Sequence, residues 1–217
     1  MIIGKLIVVV LIGYLLGSIP FGLILGKKIA KIDIREFGSG KTGATNMLRA
    51  AGKKAAILVG VCDASKGMLA VILAGLIFRE DPSLWWLMRG AQALAALAAI
   101  AGHTWSIFLN FQGGRGVATF FGGMLALYPP AALLGGEVIF LSVGLTRFVS
   151  LGSIAGAVCV YAIMVPLTLY NGFPIEYLGY SLIGTVAIIA THRDNIARLM
   201  AGTERRLGEK AKKIISR

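Results

Sequence analysis

Apolar stretches about 20 residues long, the length that crosses a bilayer core as helix, recur along most of the chain. They fall at 2–27, 54–78, 84–101, 117–128, 130–146, 151–170 and 175–191, and the polar positions are gathered between them. This pattern predicts an all-α, polytopic integral membrane protein with about seven transmembrane helices, built as one membrane-embedded domain over 1–217. The fourth stretch is short for a span. It is either tilted or joined to the fifth as a hairpin through Pro129-Pro130, which makes five spans and a re-entrant hairpin the competing topology. The first stretch runs through Gly17-Ser18-Ile19-Pro20 to Lys27, too long for a cleaved leader.

Average composition adds little, since 57% hydrophobic residues is only somewhat above a soluble domain. Charge adds more. Lys and Arg number 22 against 10 Asp and Glu, a formal +12. In a soluble chain that excess would suggest nucleic acid, but here the cations flank membrane segments, so anionic lipids and substrates are the expected partners, with no nucleic acid. Lys27, Lys28, Lys31, Arg35, Lys41, Arg49, Lys53 and Lys54 lie between the first two stretches. Arg193, Arg198, Arg205, Arg206, Lys210, Lys212, Lys213 and Arg217 follow the last. Loops of opposite parity, Arg79-Glu80-Asp81, Pro129-Pro130 and Asn171-Gly172-Phe173-Pro174, carry almost no positive charge. The N-terminus is therefore expected outside and the C-terminus in the cytoplasm. The tail from Glu204 to Arg217 reads either as an amphipathic surface helix or as a solvated basic segment. Cys62 and Cys159 fall in apolar stretches and read as packing residues.

Three polar clusters carry the candidate chemistry. The first is Gly38-Ser39-Gly40-Lys41-Thr42-Gly43-Ala44-Thr45-Asn46, with Arg49 beyond it. Its glycines let the backbone turn tightly and bring N–H groups to an anion, while Ser39, Thr45 and Asn46 supply neutral donors. Gly38-x-Gly40-x-x-Gly43 matches a dinucleotide fingerprint only superficially, because no strand precedes it. Gly40-Lys41-Thr42 is not a P-loop either, because Arg35 stands where that motif needs glycine.

The second cluster is His103 with Gly113-Gly114-Arg115-Gly116, followed by Thr119. Glycines and an arginine opening a helix suit an anion, since first-turn N–H groups lack partners and carry the positive end of the dipole. The third is His192-Arg193-Asp194-Asn195-Ile196, followed by Gly202-Thr203-Glu204. Ser150 is a further hydroxyl, either a contact or a helix cap. Asp63 and Lys66, three residues apart in an apolar stretch, are expected to pair structurally. By parity all these clusters face the cytoplasm. They offer many donors for phosphate and no metal-ligand cluster, so positioning and electrostatics are expected, with no metal and no cofactor.

At these residues the chain resembles the PlsY family of membrane acyltransferases, and the resemblance covers nearly its whole length. The first matching block also takes in Gly17-Ser18-Ile19-Pro20-Phe21-Gly22. The resemblance implies acyl transfer from acyl phosphate to the 1-hydroxyl of glycerol 3-phosphate, giving lysophosphatidic acid and phosphate, in the bacterial inner membrane with the site facing the cytoplasm. It implies catalytic roles for Ser39, Arg49, Arg115, Ser150, His192 and Asn195. It implies substrate binding by Gly38, Gly40, Lys41, Thr45, Asn46, His103, Gly113, Gly114, Gly116, Thr119 and Arg193. The base is expected to be a substrate phosphate oxygen or His192. The His-x-x-x-x-Asp motif of other glycerol-phosphate acyltransferases is absent, since Phe108 and Ala197 stand five residues after His103 and His192. The family usually has asparagine at the position of Lys41 and lysine at that of Arg115, which leaves the division of roles between them open. A membrane transporter for an organic phosphate is the reading from another class, although no inverted repeat supports it.

Overall fold

The computed structural model describes residues 2–79 and 84–214. Glu80 and Asp81 of one loop, and Ser216 and Arg217 of the tail, lie outside the described residues. The described residues form helices and no sheet, with one isolated antiparallel bridge between Phe37 and Lys213.

The long helices are α1 (Ile2–Ser18), α4 (Lys53–Arg79), α5 (Trp85–Thr104), α6 (Val117–Leu127), α7 (Pro129–Thr146), α8 (Val149–Asn171) and α9 (Ile175–Thr191). Short helices α2 (Phe21–Leu25), α3 (Ala44–Ala51) and α10 (Arg193–Met200) lie in the connections. Five apolar helical stretches are long enough to cross a membrane, Ile2–Ala30, Lys53–Arg79, Trp85–Leu109, Pro129–Thr146 and Val149–Asn171, which makes the architecture all-α and multi-pass. α6 and α9 are apolar but shorter. At a rise of about 1.5 Å per residue, the 11 residues of α6 reach only about 16 Å, roughly half a bilayer core.

The first apolar stretch is not one continuous helix, as its hydropathy suggests. It breaks at Ile19-Pro20, resumes as α2 and ends in a π-turn, Gly26–Ala30, stopped by Lys31 in the left-handed region at φ 56°. Proline has no N–H to donate, and it biases the preceding residue away from the helical region. The break frees the Ile19 carbonyl, which accepts from Lys66 Nζ at 3.0 Å. α5 runs three residues past its expected end and carries His103 in its last turn.

Helix pairs approach through small residues, as expected where lipid removes the hydrophobic drive between helices. Gly13 and Gly17 of α1 lie on the backbone of Ala95 and Ala99 of α5. Gly67 of α4 lies on Thr119, and Gly122 of α6 on Ala64, so a side chain at either glycine would strike main-chain atoms. In the centre, Phe120 stacks on Tyr180 at 5.4 Å between ring centroids, and Tyr180 donates its hydroxyl hydrogen to the Phe120 carbonyl at 2.8 Å.

The tail is neither an amphipathic helix nor a free segment through residue 214. It is an extended strap. Leu207 N–H donates to the Arg147 carbonyl at 2.7 Å, Ala211 N–H to Arg49 at 3.0 Å, and Ile214 N–H to Glu36 at 2.7 Å. Gly38 N–H returns a bond to Lys212 at 3.0 Å. Backbone pairing with loops absorbs polar groups that a surface helix would have paired within itself.

Candidate active site

Asn46 organises the first polar loop. It is buried in the first turn of α3, and its Nδ2 donates within 3.2 Å of the carbonyls of Ile34, Phe37 and Lys41. Its Oδ1 accepts from Ser39 N–H at 3.2 Å. Gly38, at φ 58°, lies against that same Oδ1, so glycine is required both by the left-handed backbone and by the space. Asn46 therefore shapes the loop that presents Ser39 and Lys41.

In the second cluster, Gly113 N–H donates to the Thr104 carbonyl at 2.9 Å and Gly114 N–H to that of His103 at 3.0 Å. These two amides are spent within the chain, contrary to their expected part in an anion cradle. Both glycines are buried and lie on His103, so they serve close approach. The positions left for an anion are Arg115 and the opening turn of α6, which Gly116 starts at φ 80°. The Arg115 carbonyl lies 3.2 Å from Thr191 Oγ1, whose one hydrogen it shares with the Ile188 carbonyl at 3.0 Å. Its buried Nε has no partner among the described residues.

The third cluster closes around Glu204. Ser150 Oγ and Asn195 Nδ2 donate to Glu204 Oε1 at 2.9 and 2.6 Å, and Arg198 Nε donates to Oε2 at 2.8 Å. Ser150 is thus not the cap of α8, where Phe148 stands. Arg49 Nη2 donates to the Arg205 carbonyl at 3.2 Å, and its buried Nε has no partner among the described residues. His192 ends α9, with Nδ1 2.8 Å from the Ile188 carbonyl. A carbonyl only accepts, so Nδ1 bears the hydrogen and Nε2 presents a lone pair.

These elements surround a cavity of about 470 Å³. Ser39, Lys41, Thr45, Asn46, Arg49, His103, Arg115, Gly116, Ser150, His192 and Asn195 all line it. Gly38, Gly40, Gly113, Gly114, Thr119 and Arg193 do not. Thr119 is buried and donates Oγ1–H to the Asp63 carbonyl at 3.0 Å. Arg193 points outward, with its side chain 87% exposed beside Asp194. Asp63 and Lys66 pair at 2.9 Å as expected, but His103 joins them, and Asp63 reaches the cavity wall. Phe121, Ile139, Phe140 and Val149 form an apolar part of the lining. That lining was missing from the candidates, and Glu204, named at the end of the third cluster, was given no role there. Glu204 had a sequence signal, a carboxylate opening a basic tail directly after Gly202-Thr203, whereas the apolar residues had none among so many of their kind.

The comparisons with known proteins agree with one another. A family model described as glycerol-3-phosphate acyltransferase matches residues 7–202. The chain is 56% identical to "Glycerol-3-phosphate acyltransferase 3" of Dehalococcoides mccartyi (strain CBDB1), over 98% of this chain and 100% of that one. It is 48% identical to "Glycerol-3-phosphate acyltransferase" of Crocosphaera subtropica, over 93% of each. The chain belongs to the glycerol-3-phosphate acyltransferase family. Its fold is similar to the crystal structure of PlsY (YgiH), described as an integral membrane glycerol 3-phosphate acyltransferase, in the glycerol 3-phosphate form. The TM-score is 0.80 at 34% identity, over 94% of this chain and 96% of that one. A structure of the same protein in its lysophosphatidic acid form matches with a TM-score of 0.79.

For a member of this acyltransferase family the electrostatics of the cavity are apt. Burial is the main cause lowering the pKa of Arg115, to about 10, so it stays cationic near neutral pH. Burial likewise lowers Arg49, with Arg205 adding to it. Buried cations with unspent N–H groups gain from an arriving anion what burial cost them. For His192, burial outweighs the hydrogen bond to Ile188 and lowers its pKa to about 4, so the imidazole is neutral. The cavity thus joins cations, neutral donors, the imidazoles of His103 and His192 and the carboxylates of Asp63 and Glu204 to an apolar side, an arrangement able to hold phosphates beside an acyl chain.

Proposed function

We propose that this protein transfers the acyl group of acyl phosphate to the 1-hydroxyl of glycerol 3-phosphate, releasing lysophosphatidic acid and inorganic phosphate. One observation carries the reading. Lys41, Arg49 and Arg115 meet around a single cavity that also has an apolar side, at Phe121, Ile139 and Phe140. Two phosphate dianions need several cations, and an acyl chain needs a dry surface.

In this reading the substrate hydroxyl attacks the acyl carbon, the carbon–oxygen bond to phosphate breaks, and phosphate leaves with its electron pair. Arg115 and Arg49 offset charge on the phosphates, and Ser39, Thr45 and Asn195 add neutral hydrogen bonds. The hydroxyl proton passes to a substrate phosphate oxygen or to Nε2 of His192. Lys41 shares the phosphate charge with Arg115. We further infer seven spans, with α6 and α9 crossing as short helices. The N-terminus then lies outside, and the site faces the cytoplasm across the bacterial inner membrane, a placement that the parity of basic loops supports.

The test is purified protein given acyl phosphate and radiolabelled glycerol 3-phosphate, with acyl-CoA in a parallel reaction. Lysophosphatidic acid is expected from acyl phosphate alone, and activity is expected to survive metal chelators. Equal turnover of acyl-CoA would refute the donor assignment. Uptake of glycerol 3-phosphate into vesicles without product would instead indicate transport.

A further inference from the structure

Deep in the bundle, Lys66 spends its ammonium on three acceptors. Nζ lies 2.9 Å from Asp63 Oδ1, 3.0 Å from the Ile19 carbonyl and 3.0 Å from His103 Nδ1. Lys66 and Asp63 are each 3% exposed, so their charges are cancelled against one another, away from water. An ammonium has donors only. Asp63 Oδ1 lies farther from His103 Nδ1, at 3.5 Å, so the shorter contact with Lys66 sets the roles and His103 Nδ1 is the acceptor. That contact leaves the ring hydrogen of His103 on Nε2.

That hydrogen is not used inside the chain. Nε2 has no hydrogen-bond partner among the described residues, and His103 lines the cavity. The Nε2 edge packs against Gly114, immediately before Arg115, and a side chain at Gly114 would strike it. The other imidazole at the cavity is set the opposite way. His192 gives Nδ1–H to the Ile188 carbonyl and offers a lone pair at Nε2. One cavity therefore holds one imidazole that can only donate and one that can only accept.

We propose that the Asp63–Lys66 pair fixes the tautomer of His103, and that His103 Nε2–H donates a hydrogen bond to an anionic substrate oxygen beside Arg115. The role rests on the acyl-transfer reading above, but the tautomer does not. A neutral donor held in place without solvent stabilises negative charge with no reorganisation at the moment of reaction. It also adds no further cation to a cavity already rich in them. Asp63 and Lys66 are positioning residues in this scheme, acting only through the imidazole.

The chain has only 2 histidines, which makes the tautomers directly readable. Protein labelled with ¹⁵N at histidine, in nanodiscs, should show the proton on Nε2 of one imidazole and on Nδ1 of the other, with His192→Gln giving the assignment. A proton on Nδ1 of His103 would overturn the proposal. In the double variant Asp63→Asn with Lys66→Met, the His103 signal should become a mixture of tautomers while that of His192 stays unchanged. An unaltered His103 signal would remove the pair from the scheme. Kinetics test the donor itself. His103→Leu should lose roughly a hundredfold in kcat/KM. His103→Gln, whose amide nitrogen reaches the place of Nε2, should recover to within about tenfold of the native rate. A higher KM would place the contact on a ground-state phosphate, and a lower kcat would place it on the oxyanion of transfer. A leucine variant within threefold of native, or glutamine no better than leucine, would refute the donor role. Absence of any acyl transfer by the native protein would instead refute the functional reading and leave the tautomer measurement standing.

Discussion

Asn195 Nδ2 lies 2.6 Å from Glu204 Oε1, joining the helix after α9 to the start of the strap. Ser150 shares that oxygen at 2.9 Å, and Arg198 takes the other at 2.8 Å. One carboxylate thus holds two of the expected catalytic side chains in place. Burial pushes the Glu204 carboxyl up, but hydrogen bonds from Asn195, Ser150 and Arg198 together outweigh it, and the pKa ends below its ordinary 4.5. A folded-state pKa below the unfolded value means that stability is present above the unfolded pKa and is lost as pH falls through the folded one. The strap should therefore loosen below about pH 4.5, read as rising protease cleavage between Glu204 and Ile214. Glu204→Gln should abolish that pH dependence and lower stability by about 1–3 kcal/mol in thermal unfolding.

Arg115 has the strongest electrostatic claim. Its Nε is buried without a partner among the described residues, and its carbonyl lies 3.2 Å from Thr191 Oγ1. Arg115→Ala should lower kcat and kcat/KM by roughly a hundredfold or more, with insertion and purification unaffected. Arg115→Lys should retain much of the rate, since a cation remains. Near-native turnover by the alanine variant would pass the role to Lys41 or Arg49.

His192 makes a prediction about pH. With its pKa lowered to about 4 by burial, it stays neutral from about pH 5 upward in the free enzyme. The pH profile of kcat/KM should then show no inflection near 6.5 that disappears in His192→Gln. The unfolded chain binds a proton that the folded one refuses. The histidine therefore contributes stability that is full above about 6.5 and declines as pH falls towards 4. Denaturant titrations of native protein and His192→Gln across that window check it.

Single-cysteine labelling reads the topology. Ser39 lines the cavity and Gln112 is exposed on the same cluster of loops, so both should react with an impermeant reagent only from the cytoplasmic side. Gly113 is unsuitable for a label, being buried against His103. Asn171, exposed at the end of α8, should react only from outside. Outside reaction at Gln112 would refute the seven-span arrangement. Ser216, in the tail, should behave like Ser39.

Hydropathy alone marked the long helices from α4 onward to within a few residues, though not the break that ends α1 at Ser18, because a bilayer imposes a length and a composition on each span. The three polar clusters were legible for a related reason. Charge and interleaved glycine are costly in lipid and stand out against apolar sequence. Which of those residues meet was decided only by tertiary structure. Arg193 and Asn195 are two positions apart in one motif, yet one is exposed and the other is buried on Glu204, since adjacent helical positions face different ways. Gly113 and Gly114 read as an anion cradle, but their amides were already committed to the carbonyls of Thr104 and His103, a pairing set by how the turn folds back on α5. The break at Pro20 was visible as a residue but not as a purpose. Only packing shows that it turns the Ile19 carbonyl towards Lys66 and thereby helps to set His103. Periodicity and composition report where a chain meets lipid or water, whereas the pairing of donors with acceptors across distant segments is a property of the assembled bundle.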